Sequence, residues 1–337
     1  MKAVGYCQSL PITAEASLID VELPNPQPTG RDLLVQVKAV SVNPVDTKVR
    51  LRQAPQAGAT QVLGWDAAGV VVAAGPEAKL FEPGAEVWYA GSLVRPGTNS
   101  ELHLVDERIV GKKPQSLDFA QAAALPLTTI TAWELLFDRF GVAAGKRPTE
   151  DSLLIVGAAG GVGSILVQLA RRLTAMTVIC TASRQETADW VVSLGAQHVI
   201  DHSKPLSAEL KRIGIEAVTH VASLTQTDAH FAEIVESLAP QGKFGLIDDP
   251  KTIDITQLKR KSISLHWELM FTRPLFGTAD MIAQHRLLSD AAELVDAGVI
   301  RTTFAEHFGR INAANLKRAH ALIESGKARG KIVLEGF

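Results

Sequence analysis

Only two cysteines, Cys7 and Cys180, occur in 337 residues. They cannot build a disulfide framework or a cysteine cluster for a metal. Both fall in apolar, strand-like runs, so a reducing compartment is the expectation. A dominant charge is lacking too: 34 Lys and Arg stand against 36 Asp and Glu, a formal charge of −2. That gives nucleic acid or an anionic membrane no long-range handle. No apolar stretch reaches the ~18 residues of a membrane span. The opening Met1-Lys2-Ala3-Val4-Gly5-Tyr6 runs straight into a strand pattern without the apolar region of a signal peptide. The expected setting is cytoplasmic. Internal repeats and low-complexity segments are absent. What remains, 46% hydrophobic residues over a length suited to two domains, can bury sizeable cores.

Glycine is concentrated at one informative place. Leu153-Leu154-Ile155-Val156 reads as a strand and Gly157-Ala158-Ala159-Gly160-Gly161-Val162-Gly163 as a turn. A helical row follows at Val162, Ile165, Leu166, Leu169 and Leu173. Strand, glycine turn and helix in that order are the context of a dinucleotide fingerprint. Laid on G-x-G-x-x-G, the match is Ala158, Gly160, Gly163, with alanine at the first position. Gly160 lets a pyrophosphate approach the backbone, and Gly163 lets the helix pack close to the strand. The helix start supplies N–H groups and a positive dipole end. Ala159, Gly160, Gly161, Val162 and Gly163 are therefore the expected phosphate cradle; a ligand-free tight turn is the plainer reading.

The following strand, Thr177-Val178-Ile179-Cys180-Thr181, ends in Ala182-Ser183-Arg184. NAD binders place a carboxylate at this point for the ribose 2′-OH. A serine hydroxyl and a guanidinium suit a 2′-phosphate instead, so NADPH is the expected cofactor. A solvated Arg184 at a helix start is the alternative.

The first ~120 residues read as short strands (32–42, 69–74, 85–90, 100–105, 109–112) between Pro and Gly punctuation, the texture of a partly open β-barrel. Helical patterns follow at 120–127 and 130–140. Strands at 198–200, 217–221, 243–247 and 262–267 then alternate with helices at 185–194, 206–213 and 228–238, predicting a doubly wound parallel sheet. Helices at 279–297 and 313–325 and a strand at 331–334 suggest that the chain returns to its first domain. The expected fold class is α/β, a β-barrel catalytic domain with an inserted Rossmann domain. Its expected domains are 1–122, 123–272 and 273–337.

Over nearly its full length the chain resembles the medium-chain dehydrogenase/reductase superfamily, and within it the quinone oxidoreductase branch. The resemblance is carried by Ser41-Val42-Asn43-Pro44-Val45-Asp46, Leu63-Gly64-Trp65-Asp66-Ala67-Ala68-Gly69, Ala124-Leu125-Pro126-Leu127-Thr128-Thr129-Ile130-Thr131-Ala132-Trp133, the glycine turn and Gly330-Lys331-Ile332-Val333. Trp133-Glu134-Leu135-Leu136-Phe137-Asp138 is similar to a subgroup often named zinc-type alcohol dehydrogenase-like. The resemblance implies a GroES-like β domain, an inserted Rossmann domain and an active-site cleft between them. It also implies NADPH-dependent reduction of quinones or α,β-unsaturated carbonyls.

Zinc members of the superfamily hold catalytic metal with a cysteine and a Gly-His-Glu motif. The corresponding segments here read Asn43-Pro44-Val45-Asp46 and Gly64-Trp65-Asp66. Zinc prefers Cys and His at tetrahedral spacing, so no metal is expected, and His103 reads as a packing residue. The catalytic candidates are Asn43, Asp46, Trp65 and Asp66. The resemblance places Asn43 near the nicotinamide and the substrate carbonyl, its amide able to donate. A turn residue before proline is the other reading. Trp65 would wall the substrate site or simply fill the core. Asp46 would orient Asn43 or Lys48, or be an exposed turn carboxylate.

Thr128 and Thr131 are candidates for the nicotinamide amide or a phosphate, helix capping being the plainer role. Ser223, Leu224, Leu246 and Ile247 end the fourth and fifth strands of the expected sheet, where such folds bind ligands. His202 would border the adenine or be a loop histidine without a role. Phe271 sits where the chain leaves the Rossmann domain, and Lys331 where it returns. An alcohol or aldehyde dehydrogenase and a non-catalytic NADPH-binding protein are the alternative functions. A homodimer through strand 262–267 is expected, because a bare apolar edge is an aggregation risk. The run 51–58 is expected to be a mobile loop.

Overall fold

The computed structural model describes residues 1–337. In chain order the strands are β1 (Lys2–Tyr6), β2 (Ile19–Glu22), β3 (Asp32–Val42), β4 (Gln61–Val62), β5 (Ala67–Ala74), β6 (Glu86–Tyr89), β7 (Leu102–Asp106) and β8 (Val110–Lys112). They continue as β9 (Ser152–Val156), β10 (Thr177–Thr181), β11 (His198–Ile200), β12 (Val218–Ser223), β13 (Leu238–Leu246), β14 (Ser264–Trp267), β15 (Phe304–His307) and β16 (Lys331–Glu335). The helices are α1 (Pro44–Arg52), α2 (Phe119–Ala123), α3 (Pro126–Trp133), α4 (Gly161–Leu173), α5 (Gln185–Leu194), α6 (Leu206–Arg212), α7 (Thr227–Ser237), α8 (Thr272–Phe276), α9 (Ile282–Asp296) and α10 (Ala313–Glu324). No helix is long and apolar enough to cross a membrane.

The chain divides into two compact units, one of Met1–Ile130 with Phe271–Phe337 and one of Thr131–Met270. The expected divisions were at 122/123 and 272/273. The observed break falls inside α3, because residues 119–130 pack with the β unit.

In the first unit a seven-stranded sheet runs β15-β16-β3-β5-β6-β8, with β7 also paired to β3, and a second sheet runs β2-β1-β4. β3 is buried along most of its length, with only Gln36 exposed and Lys38 half-buried, so both faces of this central strand are largely covered. The closing strand β16 pairs antiparallel with β3, placing Ile332 opposite Val42. The tail thus completes the sheet that the first residues begin.

The second unit is a six-stranded parallel sheet in the order β11-β10-β9-β12-β13-β14. All five residues of β9 are buried, as expected for a parallel strand covered on both faces. Leu154, Ile179, Val221 and Phe244 from four neighbouring strands form its core.

Several local expectations need correction. Leu51 and Arg52, expected to open a mobile loop, instead close helix α1 (Pro44–Arg52). Pro126 opens α3 instead of separating two longer helices, a position where its missing N–H costs nothing. After Trp133 the backbone widens into a π-helical turn over Glu134–Arg139. Cys7 lies just past β1 and is exposed, whereas Cys180 is buried.

Candidate active site

Within the first unit, the end of β3, the start of α1, the segment before β5 and the start of β16 converge on a buried polar cluster. Asn43 is the N-cap of α1. Asp46, the third residue of that helix, reaches back to accept the Asn43 backbone N–H at 2.6 Å. This carboxylate closes the first turn, as N-terminal acidic residues do. It is buried rather than exposed, and its Oδ1 makes no hydrogen bond of good geometry. Burial pushes its pKa up to about 7, offset in part by the Asn43 amide and the Lys331 charge and reinforced by Asp66.

Asp66 is fully buried and accepts from four donors. Leu127 N bonds Oδ1 at 2.7 Å; Ser41 Oγ at 2.9 Å, Asn43 Nδ2 at 2.8 Å and Lys331 Nζ at 3.0 Å share Oδ2. The Leu127 bond also places negative charge on the first turn of α3, where the helix dipole favours it. A carboxylate so saturated is the structural hub of the cluster.

Asn43 is held in the same network. Its Nδ2 donates to Asp66 Oδ2 and to Trp65 O at 3.3 Å, while its Oδ1 accepts from Lys331. Both amide hydrogens are committed, so none is free for a substrate carbonyl. Lys331 likewise spends its ammonium on Val42 O, Asn43 Oδ1 and Asp66 Oδ2, leaving no donor for a cofactor. Trp65 is buried, ties its indole N–H to Ser92 O at 3.1 Å and meets the edge of Phe271 at 6.3 Å. Thr128 Oγ1 bonds Leu125 O at 3.1 Å, a local helix contact, and Thr131 is also buried.

His103 is a packing residue here. Its ring stacks on Tyr89 and its nitrogens meet Tyr89 Oη at 3.1 Å and Pro96 O at 2.9 Å. Burial holds its pKa down at about 4, so the ring is neutral.

These residues do not fit a zinc ion. The position expected to carry a cysteine is an asparagine with a spent amide. The nearby Asp66 carboxylate already holds an ammonium, and nowhere do three His, Cys, Asp or Glu side chains gather.

In the second unit, β9 leads into the glycine turn and α4. Gly157 has φ +82°, so it supplies the tight-turn glycine and the fingerprint reads Gly157, Gly160, Gly163. The alignment that put Ala158 first was one residue late; Ala158 is buried. A Cβ on Gly163 would lie 2.4 Å from Ala158 O, the close helix-to-strand approach expected of the last glycine. A Cβ on Gly160 would meet only Gly157 O at 3.6 Å, so the space over the turn is open. Gly160 caps α4 with no side-chain hydrogen bond. That open, N–H-lined cradle fits a dinucleotide pyrophosphate.

Ser183 and Arg184 lie exposed between β10 and α5, with Arg184 in the N-cap position. At the ends of β12 and β13, Ser223 Oγ meets Thr227 Oγ1 at 2.8 Å, and Thr227 N donates to Asp248 Oδ2 at 2.9 Å. The sequence reading named Ser223, Leu224, Leu246 and Ile247 there but missed Thr227 and Asp248. The signal was available: Asp248 directly follows the strand pair Leu246-Ile247. Leu224 N bonds Val156 O, and Ile247 N bonds Ser223 O. His202 meets His230 edge-on at 6.0 Å, its Nδ1 buried without a partner. A cavity of about 360 Å³, lined in part by Asp151, Met176, Thr219 and Lys243, lies at the amino ends of these strands, away from the glycine turn.

Comparison with known proteins agrees with this architecture. The family described as alcohol dehydrogenase GroES-like domain matches residues 29–115, and that described as zinc-binding dehydrogenase matches 194–334. A zinc-type alcohol dehydrogenase-like protein of Staphylococcus aureus is 40% identical, covering 99% of both chains. The human mitochondrial NAD(P)H oxidoreductase RTN4IP1 is 32% identical over 90% of this chain and 81% of its own. A solved Rhizobium etli structure, provisionally described as a zinc-dependent alcohol dehydrogenase, is 62% identical with TM-score 0.96, covering 100% of this chain and 98% of its own. The quinone oxidoreductase of Coxiella burnetii shares the fold at 26% identity and TM-score 0.80, covering 100% and 99%. This chain belongs to the medium-chain dehydrogenase/reductase superfamily of oxidoreductases, in its quinone oxidoreductase branch.

Proposed function

We propose that this oxidoreductase uses NADPH to reduce quinones, with activated alkenes next to a carbonyl as second substrates, and that it does so without metal. The observation that carries the reading is the Lys331 ammonium 3.0 Å from Asp66, among residues that would otherwise be the metal donors. A carbonyl reduced to an alcohol needs a Lewis acid or a proton donor on its oxygen. Asn43, the candidate donor, has both amide hydrogens spent. A quinone takes a hydride and then a proton from solvent, so it asks least of such a site.

Bound NADPH would supply the hydride, and the protein's task is to hold donor and acceptor about 3–3.5 Å apart and dry. The Gly157–Gly163 turn would hold the pyrophosphate. Exposed Ser183 and Arg184, with no carboxylate in the Ala182-Ser183-Arg184 segment, favour the 2′-phosphate. Ser223, Leu224, Leu246, Ile247 and His202 are proposed for the rest of the cofactor's path. The carboxyl ends of the sheet support that assignment.

We further read the chain as a cytoplasmic homodimer. Strand β14 is an edge of its sheet, and Trp267 is 53% exposed just at its end, an apolar edge that a second copy would cover.

The test is the loss of NADPH and NADH absorbance with a panel of quinones, enones and aldehydes, with and without chelator. Chelator-insensitive quinone turnover with NADPH preferred is expected. Chelator-sensitive aldehyde turnover would replace the reading with an alcohol dehydrogenase. Tight NADPH binding with no turnover would replace it with a non-catalytic binding protein.

A further inference from the structure

The Lys331 ammonium is held by oxygen on every side that it can donate to. Val42 O at 3.1 Å, Asn43 Oδ1 and Asp66 Oδ2 at 3.0 Å take its three N–H bonds. The residue is 3% exposed. Its acceptors come from the end of β3, the cap of α1 and the segment before β5, while Lys331 itself opens β16. A simple ion pair would need only Asp66. Two neutral oxygens beside one carboxylate are instead the surroundings that hard cations take.

The cation also decides how Asn43 faces. With an ammonium against Oδ1 and the Asp66 carboxylate against Nδ2, the amide has one permitted orientation. The flipped amide would set NH2 against NH3⁺ and carbonyl against carboxylate. That orientation in turn fixes the bond to Trp65 O at 3.3 Å and the residue that caps α1.

We propose that Lys331 is a tethered cation in a three-oxygen cage and acts as a positioning residue for the candidate site, so that removing its side chain creates a binding site for a primary alkylammonium ion. Lys331→Ala deletes Cγ, Cδ, Cε and Nζ, the heavy atoms of n-propylammonium, and leaves all three oxygens in place. The inference rests on the reductase reading only in its kinetic arm.

The experiment compares the full-length wild type with K331A, K331M and the double variant D66N/K331M. Melting is followed in n-propylammonium chloride and in tetramethylammonium chloride, which has the same charge and no N–H. Expected are losses of about 5 °C or more in both single variants. n-Propylammonium should raise the melting temperature of K331A alone, and tetramethylammonium should raise none. D66N/K331M should melt above K331M, because no unpaired carboxylate is left behind. K331A and K331M melting within about 1 °C of wild type would overturn the proposal. So would K331A indifferent to n-propylammonium, or a double variant no more stable than K331M. Should neither single variant fold, folded D66N/K331M supports the proposal and its failure to fold overturns it.

In the kinetic arm, n-propylammonium should restore kcat for a quinone in K331A while leaving KM for NADPH unchanged. A wild type that reduces no quinone sinks the reductase reading, and the melting arms still decide the role of Lys331.

Discussion

Four donors converge on one buried carboxylate at Asp66, whereas at Gly160 there is no side chain, and a Cβ would meet only Gly157 O at 3.6 Å. The first region is closed and charged, with both Asp66 oxygens bonded. The second is open, neutral and lined by helix-start amides. Both read as functional in the sequence, but they respond to change in opposite ways. A closed network converts any deletion into lost stability, because its remaining members stay buried without partners. An open cradle converts an added atom into lost binding, because nothing in the fold depends on the space it fills.

The largest effect that would break this contrast is at Asp66. Asp66→Ala leaves the Lys331 ammonium buried without its counter-ion, and Leu127 N and Ser41 Oγ without their acceptor. Urea denaturation should show a loss of about 3–5 kcal/mol. A loss under ~1 kcal/mol would mean that water or a neighbour replaces the carboxylate and that the network is not closed.

Next come the two glycines of the turn, three residues apart. Gly160→Ala should keep the wild-type melting temperature and weaken NADPH binding by about 100-fold, a cost of ~2.7 kcal/mol at the pyrophosphate. Gly163→Ala should do the reverse in part. Its Cβ would sit 2.4 Å from Ala158 O, backbone that must shift, costing about 1–3 kcal/mol of stability. Titration by cofactor fluorescence together with thermal melting separates them. Equal stability losses in both would erase the distinction between open cradle and packed turn.

The contrast also explains what the sequence made legible. The glycine turn is local: strand, turn and helix follow one another within 152–173, and their periodicity survives in one window. β3 at Asp32–Val42 and α5 at Gln185–Leu194 were legible for the same reason. The Asn43 cluster is non-local. Lys331 lies 288 residues from Asn43 in sequence, so each residue was nameable by resemblance while its partner was not. That the Asn43 amide and the Asp66 carboxylate share the Lys331 ammonium was legible in neither segment. Helix α1 escaped because its buried residues include Asp46, Thr47 and Arg50, which no apolar row announces. Arg50 is buried against Leu10 O, His320 and Glu324, contacts made only by the folded chain.

Asp46 sharpens the picture of the closed region through pH. Its folded pKa of about 7 lies above the ~3.9 of an unfolded aspartate. Between those values the folded state holds a proton that the unfolded state has released. Stability from this group is therefore full below pH ~4 and is lost as pH rises through about 7. Asp46→Asn should flatten that slope, so the variant gains about 1–3 kcal/mol relative to wild type between pH 5 and pH 8. Parallel pH profiles for the two proteins would show that Asp46 is solvated and ionised throughout.

Arg184 should give the smallest effect, and it tests whether the open region is selective as well as accessible. The side chain is exposed and its N-cap role uses only backbone: Arg184 O accepts from Thr187 N at 3.1 Å and Ala188 N at 3.0 Å. Arg184→Ala keeps that backbone, so stability should stay within ~0.5 kcal/mol of wild type. If the guanidinium holds a 2′-phosphate, the variant should bind NADPH about 10-fold more weakly, ~1.4 kcal/mol, while NADH binding is unchanged because NADH has no phosphate there. Adding salt should erode the wild type's preference for NADPH, since an exposed charge pair is screened, and leave the variant's ratio flat. If both cofactors weaken equally, Arg184 shapes the loop and does not read the phosphate. If neither changes, selectivity lies elsewhere at the carboxyl ends of the sheet.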